Sequence, residues 1–450
     1  MTDGLPKVQR FYAFLAIAIA VTMAVLDGAI VNVALPTIGR ELAISPAQAI
    51  WIVNAFQLAV TISILPLASL GDSIGYKKIY WGGLAVFTAA SLACASSHSL
   101  LALSCARVMQ GIGAAGIMSV NIALVRYIFP KAQLGIGMGY ASLIVAASSA
   151  AGPTLASVIL SFAHWQWLFL INVPLGLIAL VVAARTLPTT PASGHPFNFV
   201  SAILNALTFA CLIAGLNSFS DVNAHAHGFA LVIAGILFGV VYVQRERHMA
   251  MPMLPFDLLR MPVFALSMLT SISCFAAQSM AYLALPFYLE HTLGRSEVST
   301  GFLMTPWPLM TAIVAPIAGR LSDRYVPQWL CSVGLIILSM GLVSIATITS
   351  EPSSVDLAWR LALCGLGFGL FQSPNNRIII SSAPKERSGA ASGLQAMGRL
   401  LGQSIGAAFV AIIFGVVSGN HTVLIAWCAA GLTLLAAGVS GLRRSSGAMV

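Results

Sequence analysis

Charge is what this 450-residue sequence has least of: Lys, Arg, Asp and Glu make up 8% of it, and only 13 residues are acidic. Soluble globular chains carry about 25% charged residues, so a soluble domain is excluded. A disordered chain, which stays solvated through charge and polarity, is excluded too. Cysteine is sparse and scattered. Seven residues (Cys94, Cys105, Cys211, Cys274, Cys331, Cys364 and Cys428) lie in apolar sequence without a pairing interval, which excludes a disulfide framework. The histidines fall between apolar runs or at their ends. His225 and His227 have no further ligand beside them, so no metal site is expected. No long polar stretch supplies a nucleotide-hydrolysing domain, and no nucleophile, base and metal ligands gather in one place. An enzyme is therefore not expected.

What the chain has in abundance is apolar surface. Hydrophobic residues make up 58%, and the mean hydropathy is +0.92, more than one core can bury. A run of about 20 apolar residues crosses roughly 30 Å of hydrocarbon as a helix. Fourteen such runs are present, at 11–36, 48–70, 79–97, 99–124, 134–161, 167–184, 199–217, 228–244, 263–289, 298–318, 330–350, 356–380, 389–416 and 421–442. The expected fold class is an all-α polytopic membrane protein.

The net charge of +9 is explained by position. Of the 22 Lys and Arg, 16 lie before the first run or in alternate connections, from Lys7 and Arg10 through Lys77, Lys78, Arg126 and Lys131 to Arg443 and Arg444. The opposite connections hold Arg40, Arg295 and Arg360. By the positive-inside rule both termini are expected on the cytoplasmic side. The basic balance is thus an orientation signal, and no nucleic-acid partner is expected. The first run is too long for a signal peptide and ends in no small-residue cleavage site.

The chain also repeats itself. At an offset of 254, Gly111, Gly113, Ser119, Asn121, Pro130, Lys131, Gly135, Gly139 and Gly152 meet Gly365, Gly367, Ser373, Asn375, Pro384, Lys385, Gly389, Gly393 and Gly406. At an offset of 251, Leu70-Gly71-Asp72 meets Leu321-Ser322-Asp323. The duplication pairs runs 4 and 5 with 12 and 13 and leaves runs 7 and 8 unmatched. The expected domains are an N-terminal six-helix half (1–190), two inserted membrane helices with their linkers (191–262) and a C-terminal six-helix half (263–450).

Four segments carry a family resemblance. They are Leu26-Asp27-Gly28 through Leu35-Pro36 in run 1; Gly71-Asp72-Ser73-Ile74-Gly75-Tyr76-Lys77-Lys78 after run 2; Arg107-Val108-Met109-Gln110-Gly111-Ile112-Gly113 in run 4 with Gly152-Pro153 in run 5; and Trp167 through Asn172-Val173-Pro174-Leu175-Gly176 in run 6. Together they resemble the fourteen-span drug:proton antiporters of the major facilitator superfamily over nearly the whole chain. In that family a basic residue is common where Tyr76 stands. The resemblance implies a major facilitator fold and a monomer in the bacterial inner membrane that exports small amphipathic compounds by alternating access. It implies no cofactor beyond the proton motive force, with protons, a small-molecule substrate and membrane lipids as partners. Export of one endogenous metabolite, or a transport-dead scaffold or receptor, are the alternatives.

Asp27 is the one carboxylate deep inside a run. Inserting an Asp at a helix centre costs about 2.5–3.5 kcal/mol, so it needs a reason. A proton-exchange site is one; a hydrogen-bonded structural Asp is the other. Arg107 lies at a similar depth, roughly 12–15 Å at 1.5 Å per residue, so the two can pair, either as a switch or as a permanent ion pair. Arg399 falls near the midplane of run 13. It either lines a central cavity or is tied to backbone carbonyls, and its charge leaves room for zwitterionic or anionic substrates. Asn54, Gln57, Gln278, Tyr282, Trp307, Phe371, Gln372 and Asn375 are candidate pocket residues of a mostly apolar site; interhelical hydrogen bonding is their alternative role. Asp72, Gly75, Lys77 and Lys78, with Asp323 and Arg324 in the second half, are expected to latch one conformation, with the lysines facing lipid phosphates. Gly111-Ile-Gly113-Ala-Ala-Gly116 matches a dinucleotide fingerprint, but no strand precedes it. Gly111, Gly113, Gly152 and Pro153 are therefore expected to serve helix packing.

Overall fold

The computed structural model describes residues 4–130, 133–190, 197–219, 225–249, 256–322, 324–348, 352–383, 388–417 and 421–443. Fourteen helices long and apolar enough to cross a membrane lie in them, one for each run: α1 Lys7–Glu41, α2 Pro46–Ile74, α3 Tyr76–Ala95, α4 Leu100–Ile128, α5 Leu134–Leu160, α6 Trp167–Thr186, α7 Phe199–Ser218, α8 His225–Glu246, α9 Pro262–Thr292, α10 Glu297–Leu321, α11 Pro327–Ala346, α12 Ser354–Ser382, α13 Ser388–Val416 and α14 His421–Gly441. The protein is all-α and multi-pass.

Local chemistry sets the ends. Ser45 and Gln48 form a reciprocal capping box before α2, and Ser99, Ser296 and Ser353 cap α4, α10 and α12. Proline opens α2, α9 and α11, where a missing N–H costs nothing. Helix α1 extends past the apolar run 11–36 at both ends, because hydropathy marks only the apolar part while the backbone hydrogen-bond ladder continues beyond it. The sequence places a loop at 71–78, and here the structure differs. Asp72 belongs to the last turn of α2, Lys77 and Lys78 to the first turn of α3, and Gly75 alone separates the helices at φ 100°, a value only glycine adopts readily.

The chain forms two compact units, Met1–Gly215 with Ala226–Met253, and Leu254–Val450 with Leu216–His225. In the first, α4 packs on α2 and α3, α1 on α5 and α6, and α3 on α6. In the second, α12 packs on α10 and α11, α9 on α13 and α14, and α11 on α14, so the sequence duplication is a duplication of packing. One glycine pair displays it. A Cβ on Gly113 would lie 2.4 Å from Phe87 N, and one on Gly367 would lie 2.3 Å from Leu338 N. Both offsets, 254 for the glycines and 251 for their neighbours, thus meet in one close helix approach.

Helices α7 and α8, which the sequence marks as unmatched by the repeat, belong to the first unit apart from 216–218 and His225. Gly215 and Gly235 let them approach, since a Cβ on either would lie 2.9 Å or less from Val232 or Leu212. Their attachment to α2 uses a proline. Pro66 has no N–H for the carbonyl of Ile62, and the buried Asn205 of α7 donates to that carbonyl at 2.9 Å. Phe229, Ile233, Ile236, Leu237 and Val240 leave α8 with an exposed apolar face suited to lipid.

Candidate functional site

The candidate functional centre of the first unit is a buried polar cluster. Asp27 on α1 is 2% exposed and Arg107 on α4 is fully buried, and the two form an ion pair. Arg107 also donates to the Ile52 carbonyl at 3.3 Å and to Gln110 Oε1 at 2.6 Å. Its guanidinium lies 4.1 Å from the Phe56 ring centroid and 5.7 Å from that of Phe169. Asp27 Oδ1 accepts from Gln110 Nε2 at 2.8 Å and from Asn172 Nδ2 at 3.4 Å. Ser91 Oγ, itself donating to the Phe87 carbonyl, accepts from Gln110 Nε2 at 2.9 Å. Cys94 Sγ donates to Gln110 Oε1 at 3.5 Å.

Gln110 therefore bridges both charges, its oxygen on the cation and its nitrogen on the anion. The arrangement has a chemical consequence. If Asp27 takes up a proton, Arg107 still has a carbonyl, an amide oxygen and an aromatic face around its charge, so the neutral-acid state is reachable in the same framework. The second unit has no such centre at the matching place, because Arg107 and Gln110 correspond at the 254 offset to Leu361 and Cys364.

Sequence reasoning found the charged pair and missed its partners. Gln110 carried a signal, standing three residues after Arg107 on one helix face. Asn172 and Phe56 come from other helices, and Ser91 sits in an ordinary apolar span.

The turn after α2 is held within its own unit. Tyr76, where the family prefers a basic residue, donates its hydroxyl to Asp72 Oδ1 at 2.6 Å. Its backbone N–H donates to Thr190 Oγ1 at 2.7 Å. Lys77 does not extend toward lipid phosphates: Nζ donates to the carbonyls of Ala184 and Leu187 at 2.9 and 2.8 Å, completing the C-terminal end of α6. Lys78 and Arg324 are exposed, and Asp323 lies outside the described residues.

The candidate pocket residues divide by accessibility. Asn54, Trp307, Phe371 and Asn375 are sealed. Tyr282 lies against Trp307 with ring centroids 5.1 Å apart and planes tilted by 57°. Asn375 Nδ2 donates to the Ser267 carbonyl at 3.4 Å, and its Oδ1 accepts from Arg443 Nη1 at 2.9 Å. Arg443 is itself 3% exposed, although the sequence places it among the loop cations, and burial pulls its pKa below the ordinary arginine value. Gln57, Gln278, Tyr282, Gln372 and Arg399 remain partly accessible. At Gly111, a Cβ would lie 2.5 Å from the Phe56 carbonyl; at Gly152, in the α5 segment that continues through Pro153, it would lie 2.5 Å from Ala29 Cβ. Among the described residues no group of His, Cys, Asp or Glu could hold a metal.

Comparison with known proteins agrees with this architecture. The chain is 52% identical over 443 residues to the uncharacterized transporter YebQ of Escherichia coli (strain K12), covering 98% of this chain and 97% of that one. It is 30% identical to the tetracenomycin C resistance and export protein of Streptomyces glaucescens, over 89% of this chain and 75% of the other. It is 29% identical to the riboflavin transporter RibZ of Clostridioides difficile (strain 630), over 90% and 88%. A solved bacterial homologue of the human lysosomal transporter Spinster superposes with a TM-score of 0.68 at 16% identity, over 97% of this chain and 98% of that chain, which supports the fold. Residues 17–407 match the Major Facilitator Superfamily, and the chain is a membrane transporter of that superfamily.

Proposed function

We propose that the protein is a proton-coupled efflux antiporter of the bacterial inner membrane, with both termini cytoplasmic, exporting small amphipathic compounds by alternating access. The observation that carries this reading is the sealed Asp27–Arg107–Gln110–Asn172 cluster. A buried acid held by an arginine and by neutral donors can exist with or without its proton. Each state then favours a different arrangement of α1 against α4. In the cycle, Asp27 releases its proton on the cytoplasmic side as the compound binds, and a proton from outside resets it. One proton moving inward supplies about 2.3 kcal/mol per 100 mV of membrane potential.

The tetracenomycin C resistance and export protein among the relatives favours a toxic-compound cargo. The riboflavin transporter favours a carrier for one metabolite as the second reading. Both share the coupling step. The test is a compound-accumulation panel in a host lacking other pumps, with and without a protonophore, comparing wild type with Asp27→Asn. The expected result is lower accumulation in wild type, abolished by the protonophore and by Asp27→Asn at equal membrane abundance. Full activity of Asp27→Asn would overturn the assignment of Asp27.

A further inference from the structure

The fold treats its two kinds of deep charge in opposite ways. Asp27 is neutralised by Arg107 and closed off, so in this conformation it offers no carboxylate to a cationic solute. Arg399, in the middle part of α13, is partly accessible, and its nitrogens are not among the sealed polar atoms. Among the described residues no ion pair or hydrogen bond reaches its side chain. A bare guanidinium at this depth is costly against lipid, and charged residues inside spans almost always face the bundle interior or a water-filled space. An arginine has five N–H donors and no acceptor, in a planar fork that fits a carboxylate, so an unpartnered one selects for an anion.

A second residue stands at the same height. Helix α9 serves as the ruler. A Cβ on Gly398 would touch Met268 and one on Gly402 the carbonyl of Ile272, which places Arg399 beside residues 268–272. On α12, Asn375 reaches the carbonyl of Ser267, and Phe368 lies edge-on to Phe275 at 5.4 Å. Gln372, between these two contacts, is therefore level with the same stretch of α9. Gln372 is also partly accessible and makes no hydrogen bond with its side chain among the described residues. The buried acid of α9, Glu290, lies roughly 30 Å further along at 1.5 Å per residue, too far to neutralise Arg399.

We propose that Arg399 and Gln372 recognise an anionic group on the transported compound, with Arg399 supplying the charge and Gln372 a neutral hydrogen bond. The substrates of this carrier are then amphipathic organic acids or zwitterions bearing a carboxylate, rather than lipophilic cations. The inference deepens the transport reading and rests on it for its physiological meaning, yet it concerns binding and is tested without proton coupling.

The experiment is calorimetric titration of the purified full-length protein in lipid nanodiscs with three matched probes: 1-naphthoate, 1-naphthalenemethanol and 1-naphthylmethylammonium. Wild type is expected to bind the carboxylate at least tenfold tighter than the ammonium. Arg399→Gln should erase that preference while weakening the alcohol far less than the carboxylate, and a circular-dichroism spectrum matching wild type reports an intact fold. Arg399→Lys, which keeps the charge without the planar fork, should retain part of it, and Gln372→Leu should weaken 1-naphthoate severalfold. Equal binding of carboxylate and ammonium by wild type, no binding of 1-naphthoate, or an undiminished preference in Arg399→Gln overturns the proposal. If Arg399→Gln fails to fold, undiminished 1-naphthoate affinity in Gln372→Leu overturns the proposal, and a wild-type preference for the carboxylate with weakened 1-naphthoate binding in Gln372→Leu supports it. A protonophore-insensitive carrier that keeps the Arg399-dependent preference would defeat the coupling reading alone.

Discussion

The Asp27–Arg107 pair predicts an unequal and strongly non-additive response to mutation. Removing one partner of a buried ion pair costs about 3–5 kcal/mol, because the remaining charge is left uncompensated. The surroundings decide which end of that range applies. In Asp27→Asn, Arg107 keeps the Ile52 carbonyl, Gln110 Oε1 and the Phe56 ring, so the cost falls near the lower limit, about 3 kcal/mol. In Arg107→Gln, Asp27 keeps only the neutral donors Gln110 and Asn172, so the cost approaches about 5 kcal/mol. The double mutant Asp27→Asn/Arg107→Gln buries no charge and should lose far less than the sum, giving a coupling energy of at least about 3 kcal/mol. Reversible unfolding in mixed detergent micelles, followed by circular dichroism, measures all four corners of the cycle. Single-mutant costs that add to within about 0.5 kcal/mol would show that the two residues act independently, and the proposed switch would fall with them.

Two further outcomes follow from backbone geometry. Gly113→Ala and Gly367→Ala place a Cβ 2.4 and 2.3 Å from backbone nitrogens, so each should destabilise by about 1–3 kcal/mol. Gly431→Ala, which meets nothing within 4 Å, should be neutral or stabilising by about 0.5–1 kcal/mol in the same unfolding assay. Asn205→Leu leaves the Ile62 carbonyl without a donor and should cost about 1–3 kcal/mol. Pro66→Ala restores a backbone N–H to that carbonyl and should recover most of the loss in the double mutant. Failure of that rescue would show that Asn205 acts elsewhere.

The number of membrane helices, their order and the duplication were legible because each depends on a property written locally: length of apolar run, charge sidedness and glycine spacing. The candidate pair was legible for a thermodynamic reason, since an Asp and an Arg deep in apolar sequence are too costly to be incidental. Its surroundings were not. Gln110 carried only a helical-spacing hint, while Ser91, Asn172 and Phe56 reach the cluster through packing of α3, α6 and α2 against α1 and α4. The same holds for Lys77, whose charge suggested lipid phosphate but whose position beside the last carbonyls of α6 gives it a better partner.

The sequence by itself therefore determined the solvent, the class of fold and which rare charges lie deep in apolar sequence, because burial of a charge in hydrocarbon is expensive wherever it occurs. Only the tertiary structure decided which of those charges are satisfied. Asp27 and Arg107 neutralise each other behind closed packing, Arg443 is drawn inward to Asn375, and Arg399 has no ion pair or hydrogen bond on its side chain among the described residues. Whether a charge has a partner depends on helices far apart in the chain meeting at one height, and no local pattern encodes that meeting.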